Sequence, residues 1–252
     1  MEKIVILGLG ARSTLFCQEK LHQMYFKING NYATFPFVVK QLDFNLINPY
    51  LPGNKAVVSP ILKRELKQFD VAGVHLLVPN ITIHQIFDTM DFQLQIIHPY
   101  KLLIRILASK KGEKVILFGT KFTNNSPYFA SFITENSIEN LLIEDLLFLD
   151  ELRKKVYAYA ETKQDIINFN KLITKYSKNH IVIIACTELS IINNGGGDTP
   201  RRRPSCGAIS IASCANGCGH LPMLPTSTAW WRGSSGWALS MTAPLLHQKR
   251  AT

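Results

Sequence analysis

No run of about 18 apolar residues occurs in this chain of 252 residues, so no membrane-crossing helix is expected. Cysteine is scarce, five in all, too few for a disulfide framework at this length. A reducing, cytoplasmic setting is the expectation. The N-terminal stretch MEKIVILGLGARS lacks a basic leader region and meets Arg12 after a short apolar run. It reads as a first strand, not as a signal peptide. Acidic residues all but vanish from the C-terminal part. Residues 195–252 hold Asp198 against six Lys and Arg, whereas residues 1–194 hold 17 acids and 22 bases. Half of the +10 formal charge therefore lies in less than a quarter of the chain. That is not the pattern of a basic nucleic-acid-binding face, and no nucleic-acid partner is expected.

Other absences fall at the same boundary. Phe and Tyr are missing after residue 194, and Trp is missing before it. Phe, Tyr, Met, Ile, Asn and Lys make up 82 of the first 194 residues and 6 of the last 58. Gly, Ala, Arg and Pro make up 27 and 25. The first set has AT-rich codons and the second GC-rich codons. Residues 195–252 are expected to be a disordered or poorly packed tail of frameshift or fusion origin. A glycine-rich linker with a small module is the rival. Cys206, Cys214, Cys218 and His220 in this tail do not have the spacing of a zinc knuckle, and no metal is expected. Arg201, Arg202 and Arg203 read as solvated charge.

What is present fits a globular chain: 46% of residues are apolar and 18% charged. Apolar runs at 3–9, 37–44, 71–78, 114–119 and 180–185 read as strands, with a shorter one at 95–98. Helical stripes lie between them at about 14–28, 60–69, 82–88, 100–109, 137–161 and 163–177. Ser13 is read as the cap of the first helix, and Ser59-Pro60 as the start of the second. Strands alternating with helices predict an α/β fold with mainly parallel sheets flanked by helices. In such sheets ligands bind at the carboxyl ends of the strands, so the turns at 8–14, 79–84, 119–126 and 186–188 hold the candidate chemistry. As a dinucleotide fingerprint, Gly8-Leu9-Gly10 is weak: the third small position is Ser13, and the second strand ends without a convincing acid.

Four of these turns form a set: GLGARST (8–14), NITIH (80–84), GTKFT (119–123) and ACTEL (185–189). In order and spacing the set resembles the cofactor-independent aspartate/glutamate racemase superfamily over residues 1–194. The segment LDFNLINP (42–49) also looks like the family's stretch after its second strand. The resemblance implies two pseudo-symmetric lobes, about 1–110 and 111–194, with the site between them. It implies a homodimer, no cofactor and a small acidic amino acid as substrate. Such an enzyme moves the α-proton with two thiols on opposite faces of the carbon. A thiol suits that task because its pKa of about 8.5 can be lowered at a helix N-terminus. Hydroxyls and backbone N–H groups hold the developing negative charge. Cys186 stands where the family keeps its second cysteine. Thr82, Thr120, Thr123 and Thr187 stand where it binds carboxylate. Asn80 stands in place of the first cysteine, and a carboxamide is neutral and cannot act as a proton-carrying base. Ile81 replaces a neighbouring asparagine. The expectation is a one-sided racemase with Cys186 as surviving thiol base. The alternatives are an inactive carboxylate-binding relative or a single-cysteine decarboxylase. His84 is expected to orient the site loop, and Cys17 to be core.

Overall fold

The structure, a computed structural model, describes residues 3–193 and 208–210. In chain order the first sheet is built from β1 (Lys3–Gly8), α1 (Ala11–Asn29), β2 (Val38–Gln41), α2 (Lys55–Leu66), β3 (Val74–Leu77), α3 (His84–Phe87) and β4 (Gln95–Ile96). Helix α4 (Pro99–Leu107) leads to the second: β5 (Lys114–Phe118), α5 (Lys121–Asn125), α6 (Pro127–Ala130), β6 (Ser137–Glu139), α7 (Ile143–Tyr157), α8 (Lys163–Tyr176), β7 (Ile181–Ile184), α9 (Thr187–Asn193) and β8 (Ala208–Ser210). Both sheets have four parallel strands, ordered β2-β1-β3-β4 and β6-β5-β7-β8. The second order repeats the first, so the expected α/β class with two like sheets is what the chain forms.

The central strands are apolar on both faces because helices cover both. In the second sheet successive residues part company, as strand geometry requires. Ile116, Phe118, Val182 and Ile184 pack with Val156, Phe169 and Leu172 of α7 and α8. Val115, Leu117, Ile181 and Ile183 pack with Tyr100, Leu103 and Leu107 of α4. Helix α4 follows the first sheet in sequence and closes the second in space, so it is the seam of the molecule. In the first sheet, Val5, Leu7, Val74 and Leu76 face α2 and α3, while Ile6 and Leu77 meet Cys17 of α1. No described helix is long and apolar enough to cross a membrane.

Polar contacts also join the lobes. Arg12 of α1 donates to both carboxylate oxygens of Glu161, at 2.8 and 2.7 Å, and to the Val156 carbonyl of α7. Tyr128 of α6 donates to Asp88 at 2.6 Å, and the Nε2 of His98 lies 3.0 Å from the Tyr128 hydroxyl.

Several elements differ from the sequence reading. The stretch at 137–161 is not one helix. Ser137–Glu139 is an edge strand on β5, and α7 starts at Ile143. Three residues are too few to show an alternating period, so the strand hid in the helical stripe that follows. Helix α2 starts at Lys55, before Ser59-Pro60, and Pro60 is internal. A proline so near the start forfeits one bond, to the Ala56 carbonyl. Ser13 does not cap α1. Gly10 is the cap residue, and the Ser13 hydroxyl donates to its carbonyl at 3.0 Å. Strand β8 was not expected: Ala208–Ser210 extends the second sheet from β7. The rest of the expected tail, with its cysteines, arginines and tryptophans, lies outside the described residues.

Candidate functional site

Each central strand ends at the same edge of its sheet, and the turns after β3, β5 and β7 meet in a cleft of about 390 Å³. After β3 come Asn80, Ile81 and Thr82. After β5 come Thr120, Lys121, Phe122 and Thr123. After β7 come Ala185, Cys186, Thr187 and Glu188. Phe44, Asn48, Leu51 and Pro52 close one side from the segment after β2. All six residues singled out in the sequence, Asn80, Thr82, Thr120, Thr123, Cys186 and Thr187, line this one cavity.

The turns are stiffened by their own side chains. Asn80 accepts from the Ile83 amide at 3.1 Å and so fixes the turn leading to α3. His84 is fully buried, with Nδ1 3.3 Å from the Ile81 carbonyl. Burial pushes its pKa down to about 3, so the ring is neutral. It orients the turn and does not line the cleft. Thr120 caps α5, accepting from the Thr123 amide at 3.1 Å, and the two hydroxyls are 3.1 Å apart. Gly119 lets this cap approach β7: a Cβ there would meet Thr123 Cβ at 3.0 Å and the Ala185 carbonyl at 3.5 Å.

Cys186 is 5% exposed. Its thiol donates to Glu188 Oε2 at 3.1 Å, and the Thr187 hydroxyl donates to the same oxygen at 3.1 Å. Burial first, and then the Glu188 charge, raise the thiol pKa well above its ordinary value. The Leu189 amide and the Arg153 charge pull the other way and are outweighed. Helix entry at β7 was expected to suit a thiolate. The structure gives the opposite direction, because the thiol is buried and a carboxylate lies against the sulfur.

Sequence reasoning missed the residues that α7 brings to the cleft: Asp150, Arg153 and Tyr157. Arg153 lies 3.3–3.4 Å from Asp150. The three recur at helical spacing beside the buried stripe of Leu149, Leu152 and Val156. That stripe was the available signal. Lys121 and Glu188 lay inside quoted motifs without a role.

The Gly8–Thr14 turn serves packing. Thr14 donates to the Gly10 carbonyl at 2.7 Å, and a Cβ on Gly8 would lie 2.1 Å from Gln41 Oε1 and 2.9 Å from Thr14 Cγ2. Among the described residues, no three side chains gather as metal ligands.

Neither a protein-family profile nor a curated protein matches the chain. Solved structures do. An Asp/Glu racemase candidate from Yersinia pestis superposes with a TM-score of 0.69 at 15% identity, over 86% of this chain and 96% of that one. An aspartate racemase homologue from Pyrococcus horikoshii OT3 gives 0.67 at 20% identity, over 86% and 96%. The Picrophilus torridus aspartate racemase gives 0.63 at 16% identity, over 85% and 91%. The chain therefore has the fold of the aspartate/glutamate racemases. At these identities the likeness is one of architecture.

Proposed function

We propose that the cleft binds an amino acid by its carboxylate and that Cys186 exchanges the α-proton from one face. The observation that carries this reading is the convergence of Cys186 with Thr120, Thr123, Thr187, Thr82 and Asn80 on one cavity at the strand ends. The threonine hydroxyls and Lys121 hold the carboxylate. In the exchange step the Cα–H bond breaks, its proton passes to sulfur, and the electron pair is spread onto the carboxylate. The reverse step returns a proton to the same carbon. Since Cys186 is protonated at rest, its own proton must first leave for Glu188, the carboxylate that already accepts it. Asn80 offers no second proton carrier, so exchange is one-sided. The reading needs no cofactor. The resemblance further supports a homodimer, and the scarcity of cysteine a cytoplasmic setting.

Each enantiomer incubated in D₂O tests the reading by mass spectrometry. Deuterium entry at Cα from one enantiomer, at least about tenfold faster than from the other, is the expected result. Equal rates would require a second base opposite Cys186. The raised thiol pKa favours one rival, a protein that binds a carboxylate ligand without turnover. That rival predicts binding with no deuterium entry from either enantiomer.

A further inference from the structure

The walls of the cleft differ in charge. Among the described residues, every formal charge lining it lies on the second lobe: Lys121, Arg153, Asp150 and Glu188. Two cations stand with two anions, so the described lining is neutral in sum. Arg153 is already within hydrogen-bond reach of Asp150. Lys121, at the start of α5, has no ion pair among the described residues and stands beside the Thr120–Thr123 pair. Among the described lining residues, that leaves one cation without an ion pair for one carboxylate. The first-lobe wall has none. Phe44, Leu51, Pro52 and Ile81 are apolar, and Asn48, Asn80 and Thr82 are neutral.

We infer that the cleft selects an amino acid with an uncharged, apolar side chain, and not aspartate or glutamate. This rests on the reading of the cleft as an amino-acid site. A zwitterion with a neutral side chain adds no net charge to a neutral lining. Its single carboxylate takes Lys121 and the threonine hydroxyls, and its side chain is left to the first-lobe wall. A second carboxylate would lose water there without gaining a cation, and an unpaired buried charge is strongly disfavoured. Turned the other way, it would meet Asp150 and Glu188, whose like charge repels it. A polar ligand group left unmatched is a strong basis for rejection, whereas an apolar pocket grades neighbouring alkyl groups only weakly. The acidic substrate that the family resemblance implies does not fit this wall.

Leucine, asparagine and aspartate, in both enantiomers, are the probes. Binding to the full chain is read by calorimetry or saturation-transfer NMR at pH 7, and α-deuteration in parallel. Leucine is expected to exceed aspartate by about tenfold or more in affinity or in exchange. Asparagine, which has the shape of aspartate without its charge, is expected between them. Asn48→Lys places a cation on the neutral wall and is expected to move the aspartate-to-leucine ratio up by about tenfold. Aspartate equal to or better than leucine in the unaltered protein overturns this inference and leaves the amino-acid reading standing. An Asn48→Lys ratio that does not move, in a variant that still binds leucine, also overturns it. If none of the three amino acids binds or exchanges, the amino-acid reading itself fails and this inference falls with it.

Discussion

The thiol of Cys186 and the hydroxyl of Thr187 both donate to one carboxylate oxygen of Glu188, each at 3.1 Å. Two hydrogen bonds from successive residues hold that carboxylate against the sulfur. The proton on Cys186 is therefore kept in place by burial and by charge.

The first prediction concerns that thiol. Iodoacetamide reacts with the thiolate, so alkylation of Cys186 in the folded protein should be slower at pH 8 than that of a free cysteine. Glu188→Gln removes the negative charge that helps keep the thiol protonated. It should speed alkylation at the same pH, though burial still holds the rate below that of a free cysteine. Rates followed by mass spectrometry across pH 7–10 decide it. A slower reaction in Glu188→Gln would mean that Glu188 does not hold the proton.

The second concerns the joint between Arg12 and Glu161. The Arg12 guanidinium holds the Glu161 carboxyl below its ordinary range. The pair is half buried and bidentate, so Glu161→Gln should cost about 1–3 kcal/mol at pH 7. A lowered carboxylate pKa contributes stability above the unfolded value, about 4.3, and loses it as pH falls through the folded one. Urea midpoints of the protein and the variant should therefore converge below pH 4. A difference that persists at pH 3 would argue against an ionic joint.

The third concerns the start of α8. Thr162 and Asp165 form a reciprocal cap, and Lys155 lies 2.9 Å from Asp165. The Thr162 amide first, then Lys155, push the Asp165 pKa down to about 2. Asp165→Asn should cost about 1 kcal/mol at pH 7. By the same sign rule the cost should be full at pH 5 and fade toward pH 2. Thermal melts at pH 7, 4 and 2.5 measure it, and a cost that grows on acidification would contradict it.

The fourth concerns the seam. Leu103 of α4 is fully buried between the lobes, against the second sheet. Leu103→Ala should destabilise the chain by about 2–5 kcal/mol, the usual range for a buried leucine truncated to alanine. A loss below about 1 kcal/mol in urea unfolding would show that α4 does not carry the contact between the lobes.

The sequence by itself determined the strands that are buried on both faces. Val5–Leu7, Val115–Phe118 and Ile181–Ile184 are unbroken apolar runs, and Val74–Leu77 is broken only by the buried His75, as a parallel sheet covered on both sides demands. It also determined the order of the turns that end those strands, because parallel strands bring their carboxyl ends to one edge; which residues of those turns to single out came from the family resemblance. The edge strands of the second sheet were not legible, whereas those of the first, at 37–44 and 95–98, were. Ser137–Glu139 and Ala208–Ser210 pair along one side with too few residues to show a period, so partners distant in sequence decide them. Tertiary structure alone put Arg153 and Asp150 beside Cys186, because only the packing of α7 beside β7 turns a helical stripe into a wall. It alone set the proton affinity of Cys186. Sequence supplies a thiol two residues before a carboxylate; burial and the direction of the Glu188 side chain decide that the carboxylate faces the sulfur.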